Sequence, residues 1–148
     1  MPPPRFTHNA FPTPRLDACV AFYRAFAGMR VVKRRGEPGE RVYWLAPAAA
    51  DLPVFVLVEK PSSGGPVADP DPLLRHLGFE VDTLDDLHDV HARLVAAGHD
   101  ATAPQHIDDV VGTVTLTRDP DGRVVEFSHG QDVSPANWDP GAPPAAAT

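Results

Sequence analysis

The sequence predicts an α+β protein assembled from two copies of one β-α-β-β-β unit, and three observations predict it. A short extended run with a histidine among apolar residues, Phe6-Thr7-His8-Asn9-Ala10-Phe11, returns as Arg75-His76-Leu77-Gly78-Phe79-Glu80-Val81. Each run leads within about ten residues into an amphipathic helical pattern that stops at a glycine, Gly28 in the first copy and Gly98 in the second. Each helix is followed by strand-like segments divided by turn residues. The histidine offset, 76 − 8 = 68, is slightly under half of the 148 residues, so two copies account for the chain apart from a tail.

In the first unit, residues 5 to 10 alternate as a strand that places Phe6, His8 and Ala10 on one face. Thr13-Pro14 reads as an N-cap followed by proline at the first helical position, and Leu16, Cys19, Val20, Tyr23 and Phe26 recur at helical spacing, so the helix is expected over roughly 14 to 27. Met29 to Val32 opens a second strand, Gly36-Glu37-Pro38-Gly39 is a turn, Arg41 to Leu45 is a third strand and Pro53 to Glu59 a fourth. The first module spans 5–60. Residues 61–73, rich in Pro, Gly, Ser and Asp, read as the linker between the halves.

The second module spans 74–130. Thr83 followed by Asp86 resembles a capping box, and Leu84, Leu87, Val90, His91, Leu94 and Val95 supply an apolar helix side. A short strand is expected near Asp100 to Ala103, a second over Val110 to Thr117, and a hairpin at Asp119-Pro120-Asp121-Gly122 leads into Arg123 to Ser128. Residues 1–133 are thus expected to form one domain. Residues 134–148 are a Pro/Ala-rich tail with no core of its own, although Trp138 could dock on something apolar.

Composition narrows the function. Thirteen Lys and Arg against 20 Asp and Glu give a net charge of −7 with no basic stripe, which disfavours a nucleic-acid partner. The single Cys19 excludes an internal disulfide and fits a reducing compartment. No signal-like run and no stretch approaching ~18 consecutive apolar residues occurs, so a cytoplasmic protein with no membrane partner is expected.

Chemistry is suggested by three polar residues on strands. Glu126 lies in Val124-Val125-Glu126-Phe127-Ser128, where an inward carboxylate is costly unless a cation compensates it. His8 and His76 open the two modules and Glu126 closes the second. Two imidazoles and one carboxylate can hold a divalent metal on one side and leave other coordination positions open.

The histidine strands, the helix ending in Phe26-Ala27-Gly28-Met29 and the Asp119-to-Phe127 hairpin together resemble the vicinal oxygen chelate superfamily, which includes glyoxalase I, bleomycin-resistance, fosfomycin-resistance and extradiol dioxygenase proteins. The resemblance covers about residues 5 to 130 and is sharpest at Asp-Pro-Asp-Gly before a glutamate strand. It implies paired βαβββ modules forming a curved, partly open mixed sheet with helices outside. It also implies a divalent ion (Ni, Zn, Mn or Fe) on His8, His76 and Glu126, a small oxygenated substrate, and a homodimer in which modules pair within or between chains. Glyoxalase-like members often add a fourth ligand from the last strand of the first module. Offsets here put Leu57, not Glu59, opposite Glu126, since 126 − 57 = 69 while Glu59 requires 67; only a bulge or slipped register would bring Glu59 in. The expected activity is a glyoxalase-like lyase or isomerase in which Glu59 or His106 moves a proton, with extradiol dioxygenase or metal-free drug binding as alternatives.

The remaining histidines have plainer readings. His88 and His91 belong to a solvated or half-buried helix side, and His99 follows the helix-ending glycine, where an imidazole meets the last carbonyls. His106 and His129 are candidates for supporting the site. Ala10, Gly78 and Glu80 share strand faces with the histidines, and one of Tyr43 and Trp44 should line the same face. The Asp119 turn lacks the later ligands of a calcium loop and reads as a plain hairpin.

Overall fold

The computed structural model describes residues 8–48, 54–60 and 76–131. The start of the first strand, the expected linker 61–73 and the expected tail 134–148 with Trp138 lie outside these residues. The first module contains β1 (His8–Thr13), α1 (Leu16–Phe26), β2 (Arg30–Arg35), β3 (Val42–Ala46) and β4 (Val54–Glu59). The second contains β5 (His76–Glu80), α2 (Leu84–Ala96), β6 (Gln105–Asp108), β7 (Gly112–Arg118) and β8 (Val124–His129). The duplicated order is therefore present, as two open four-stranded sheets arranged β1-β4-β3-β2 and β5-β8-β7-β6. In each sheet the first strand pairs in parallel with the last, and the other pairs are antiparallel.

Local chemistry explains the helix ends. Thr83 accepts from the Asp86 backbone N–H at 3.1 Å while the Asp86 carboxylate accepts from the Thr83 N–H at 3.1 Å, so the capping box is complete. Both helices terminate before glycines with positive φ, Gly28 at +60° and Gly98 at +83°. The start of α1 differs from the expectation: Arg15 is the N-cap and Leu16 the first helical residue. Thr13 is the buried last residue of β1, and its hydroxyl accepts from the Arg15 N–H at 3.0 Å to form the turn between strand and helix.

The strand expected at Asp100 to Ala103 also shifts. Ala101 makes an isolated bridge to Thr117, and β6 forms only at Gln105. Thr102 donates its N–H to the Leu116 carbonyl at 2.9 Å, but the return bond from the Leu116 N–H goes to the Thr102 hydroxyl at 2.9 Å rather than to its carbonyl, and Pro104 has no N–H to continue pairing.

One face of each sheet is packed against the helices, and those two faces meet. Leu16, Cys19, Phe22, Tyr23, Leu45 and Leu57 of the first module share a core with Leu87, Val90, Leu94, Val125 and Phe127 of the second. Phe55 stands 5.8 Å edge-on to Phe79 across the module boundary, and each also contacts Tyr23. The His99 imidazole, expected at the last carbonyls of α2, packs edge-on against Phe22 and Phe26 of α1.

The Asp119-to-Gly122 turn does more than close a hairpin. Asp119 is 4% exposed and accepts from the Tyr23 hydroxyl at 2.9 Å, from the Asp121 and Arg123 N–H groups at 2.9 Å each, and from the Arg123 guanidinium at 2.8 Å. Arg15 donates to the Pro120 carbonyl at 2.7 Å, Arg123 donates to the Pro12 carbonyl, and Cys19 donates to Asp121 at 3.4 Å. The turn of the second module is thereby clamped onto β1 and α1 of the first. Burial, with Asp119 and Asp121 adding to it, pushes the Cys19 thiol up to about 11.

Candidate metal centre

The packed core leaves the opposite, helix-free face of each sheet to carry the expected site. Strand parity assigns the residues, because paired residues point to the same side. In the second module, Leu77, Phe79, Val125 and Phe127 enter the core, so His76, Gly78, Val124 and Glu126 point the other way. His76 pairs with Val124 and Gly78 with Glu126. In the first module, Phe11, Tyr43, Leu45 and Leu57 face the helices, whereas His8 and Ala10 share the helix-free side with Val56 and Trp44. Of the pair Tyr43 and Trp44, it is therefore Trp44 that takes this side.

Two of the three expected ligands are brought together. The His76 Nε2 lies 3.6 Å from Glu126 Oε2, with the imidazole one-third exposed and the carboxylate side chain 9% exposed. Glu126 Oε1 is buried and has no hydrogen-bond partner. A carboxylate so placed is poorly compensated by one imidazole alone, and a cation would satisfy the idle oxygen. Gly78, the direct partner of Glu126 on β5, has open space where a Cβ would stand. His8 occupies in β1 the place that His76 occupies in β5, but among the described residues no three His, Cys, Asp or Glu side chains gather closely enough to hold a metal ion. The structure thus supplies a His76–Glu126 pair and a matching His8 position rather than a closed triad.

Register also settles which first-module residue corresponds to Glu126. Glu126 pairs with the residue two beyond His76, and Val56 pairs with Ala10, two beyond His8. The true offset is 126 − 56 = 70, so the expected Leu57 is displaced by one residue onto the core side, where it is 1% exposed. Histidine spacing could not reveal this, because the segments between first and last strands differ in length by two residues. Glu59 pairs with Thr13 at the far end of β1, on the helix side. It accepts from Arg41 Nε at 2.8 Å, from Arg41 Nη2 at 2.6 Å and from the Gly39 N–H at 2.8 Å. Those bonds, chiefly the one from Arg41, hold its carboxyl down at about 2. Nothing brings Glu59 toward the His76–Glu126 pair.

The two supporting histidines also lie elsewhere. His106 is on edge strand β6, paired with Thr113 on the core-facing register of β7; its Nδ1 is 3.5 Å from the Thr113 hydroxyl and its Nε2 3.9 Å from Asp109. His129 Nδ1 is 3.3 Å from the Val81 carbonyl, and its backbone shares the Phe127 side of β8. Glu80 stays on the helix-free side but is spent on structure, accepting from Ser128 at 2.7 Å and from the Gly130 N–H at 2.6 Å.

Comparison with known proteins agrees with this architecture. The model of the Glyoxalase/Bleomycin resistance protein/Dioxygenase superfamily matches residues 5–127. A Pseudomonas aeruginosa protein described as uncharacterized protein PA2024 is 36% identical over 135 residues, covering 90% of this chain and 94% of that one. The crystal structure of a glyoxylase/bleomycin resistance protein/dioxygenase domain from Frankia sp. EAN1pec superposes with a TM-score of 0.70 at 22% identity, covering 87% of this chain and 99% of the other. A lactoylglutathione lyase from Agrobacterium tumefaciens superposes at 0.61 with 19% identity, covering 88% and 97%. At these identities the structural likenesses are likenesses of fold. Among the described residues no helix is long and apolar enough to cross a membrane.

Proposed function

The chain belongs to the glyoxalase/bleomycin resistance protein/dioxygenase superfamily, and from that premise we propose that it is a divalent-metal-dependent enzyme acting on a small substrate through two neighbouring oxygen atoms. The observation that carries this reading is the buried, unpartnered Oε1 of Glu126 beside the His76 imidazole. In this reading Glu126 and His76 form the nucleus of the site and His8 is the third ligand, drawn in when the ion binds. A set of two imidazoles and one carboxylate suits zinc, nickel, manganese or iron, and a bound ion would polarise the substrate oxygens and stabilise an oxyanion by several kcal/mol. The protein's own part is to fix His76 and Glu126 on adjacent strands, to keep space open at Gly78, and to shield the carboxylate from water.

Within that class, the residues favour ring cleavage of the extradiol dioxygenase type over a glyoxalase-type lyase or isomerase. Val56 stands at the first-module position corresponding to Glu126, where glyoxalase-like members often place a fourth ligand, and the expected bases, Glu59 and His106, are off the site's face. A second reading, metal-free binding of a small molecule as in bleomycin-resistance proteins, is favoured by the absence of a gathered triad among the described residues.

One experiment separates them. Protein purified without a tag and stripped of metal is titrated with zinc, manganese, nickel and ferrous iron, and uptake is measured by elemental analysis. Stoichiometric uptake of at least one ion, abolished in Glu126→Gln and in His76→Ala and weakened in His8→Ala, is expected. No uptake of any of the four ions overturns the metalloenzyme in favour of the binder.

A further inference from the structure

The charge of the molecule is unevenly placed. The chain is strongly acidic, yet Arg30, Lys33, Arg34 and Arg35 all fall on β2, the outer edge strand of the first sheet, and all are exposed. The register shifts between Val31 and Lys33. Without that bulge, alternation from Arg30 would put Val32 and Arg34 on the helix-free face. With it, Val32 is extruded to 43% exposure and Lys33 and Arg35 join Arg30 on that face, opposite Trp44, Val42 and Ala46. Arg34 falls on the other side, its guanidinium over the Tyr43 ring.

Rows of paired residues then run across the face toward the metal ligands. Lys33 pairs with Trp44, Trp44 with Val56, and Val56 with Ala10, two residues from His8. The Lys33 ammonium is 5.5 Å from the centre of the Trp44 ring, which is partly exposed and packs on Val42, Ala46 and Val56. Three strand spacings separate Lys33 from Ala10, ~14 Å between backbones, and the long cationic side chain shortens that gap. Lys and Arg on an edge strand commonly serve only to block edge-to-edge pairing. A bulge serves that purpose as well, but edge blocking requires no particular face, and the corresponding edge of the second sheet, Gln105-His106-Ile107-Asp108, has its own register shift yet carries neither residue.

We propose that this face makes the enzyme selective for an anionic substrate: Lys33 and Arg35 receive a carboxylate or similar oxyanion at the outer edge, Trp44 supports a flat apolar body, and the far end of the molecule presents its neighbouring oxygens at His8. The inference rests on the metal reading for the role of His8. It excludes cationic ligands, which would meet like charge at the rim.

The test uses the full chain with Trp138→Phe, which leaves Trp44 as the single tryptophan, and follows its fluorescence with and without zinc. The probes are dihydrocaffeate, a catechol with a carboxylate on a two-carbon arm, and its neutral amide. Binding of the acid roughly tenfold tighter than the amide, a preference that shrinks with added salt and disappears in Lys33→Glu/Arg35→Glu while amide affinity stays the same, is expected. Equal affinity for acid and amide, no Trp44 response to the acid, or an unchanged preference in the double variant overturns it. A double variant that splits a dimer and leaves the preference intact shows that the edge is a subunit contact, which also overturns it. Metal uptake is measured in parallel. Acid preference without uptake fails only the metal reading, and uptake without acid preference fails only the rim.

Discussion

Glu59 shows how one carboxylate can be diverted from chemistry to architecture. Arg41 binds it with two nitrogens and reaches Asp17 of α1 with its terminal nitrogens, at 3.0 and 3.1 Å, so a single guanidinium ties the start of β3 to the end of β4 and to the first turn of α1. Chiefly through Arg41, the Glu59 carboxyl is lowered from an ordinary 4.5 to about 2. The folded state therefore binds this proton more weakly than the unfolded chain does, and its contribution is fully present above about pH 4.5 and is lost as the pH falls toward 2. The expected outcome is that wild-type protein is more stable than Glu59→Gln at pH 6, and that the two urea midpoints converge between pH 4.5 and 2. Parallel curves across that window would show that the pair adds no pH-dependent stability. Sequence parity alone offered Glu59 as a candidate base because it shares a strand face with Leu57. What it could not display was the guanidinium waiting at Arg41, eighteen residues earlier in the chain.

At the scale of the element, most of what depends on contiguous residues was legible, the start of α1 excepted because β1 runs on through Thr13, and what depends on pairing was not. The Thr83–Asp86 box, the terminating glycines and the Asp119 hairpin are set by neighbours within four residues, and each stands where the sequence placed it. The extruded residue in β2, the replacement of Leu57 by Val56 and the delayed start of β6 are decided by a partner strand, whose register no single strand encodes. His8, His76 and Glu126 were picked out by repetition and by the cost of a buried carboxylate. Repetition fixed their faces, but not the distance separating His8 from the other two. The capping box provides a quantitative check. Thr83→Ala removes the acceptor for the Asp86 N–H and should cost ~1 kcal/mol, read as a lower melting temperature with unchanged metal uptake. Thr83→Ser keeps the bond and should restore most of the loss. Equal destabilisation by both variants would place the contribution in packing of the threonine methyl rather than in the cap.

At the scale of the molecule, the decisive question is what makes two similar modules one body. Apolar contact between helix-packed faces supplies the area, but hydrophobic burial is undirected and would tolerate a slide of one module against the other. Asp119 supplies direction. Its two oxygens accept four bonds, one of them from Tyr23 of the other module, and Arg123 extends from the same turn to Pro12 and lies over the Phe11 ring. Burial, with Asp119 and Arg123 exerting opposite influences, pushes the Tyr23 phenol far above its ordinary range, so the hydroxyl remains a donor at every working pH. Since Arg123 leads directly into β8, the clamp also fixes the strand that carries Glu126 relative to β1 and His8. Tyr23→Phe should cost ~1 kcal/mol, the ordinary value of one hydrogen bond, whereas Asp119→Ala strands several buried donors together with a guanidinium and should cost ~3–5 kcal/mol. The double variant should be no less stable than Asp119→Ala alone, because the Tyr23 bond is already gone and the stranded hydroxyl is removed with it. If the clamp sets the site as well as the fold, Tyr23→Phe should also weaken metal uptake by a few-fold while Glu126 and both histidines are intact. Chemical denaturation of the four proteins, with metal titration of the Tyr23 variant, reads both effects. Additive losses would remove the coupling between Tyr23 and Asp119, and unaltered uptake would confine the clamp to holding the modules together.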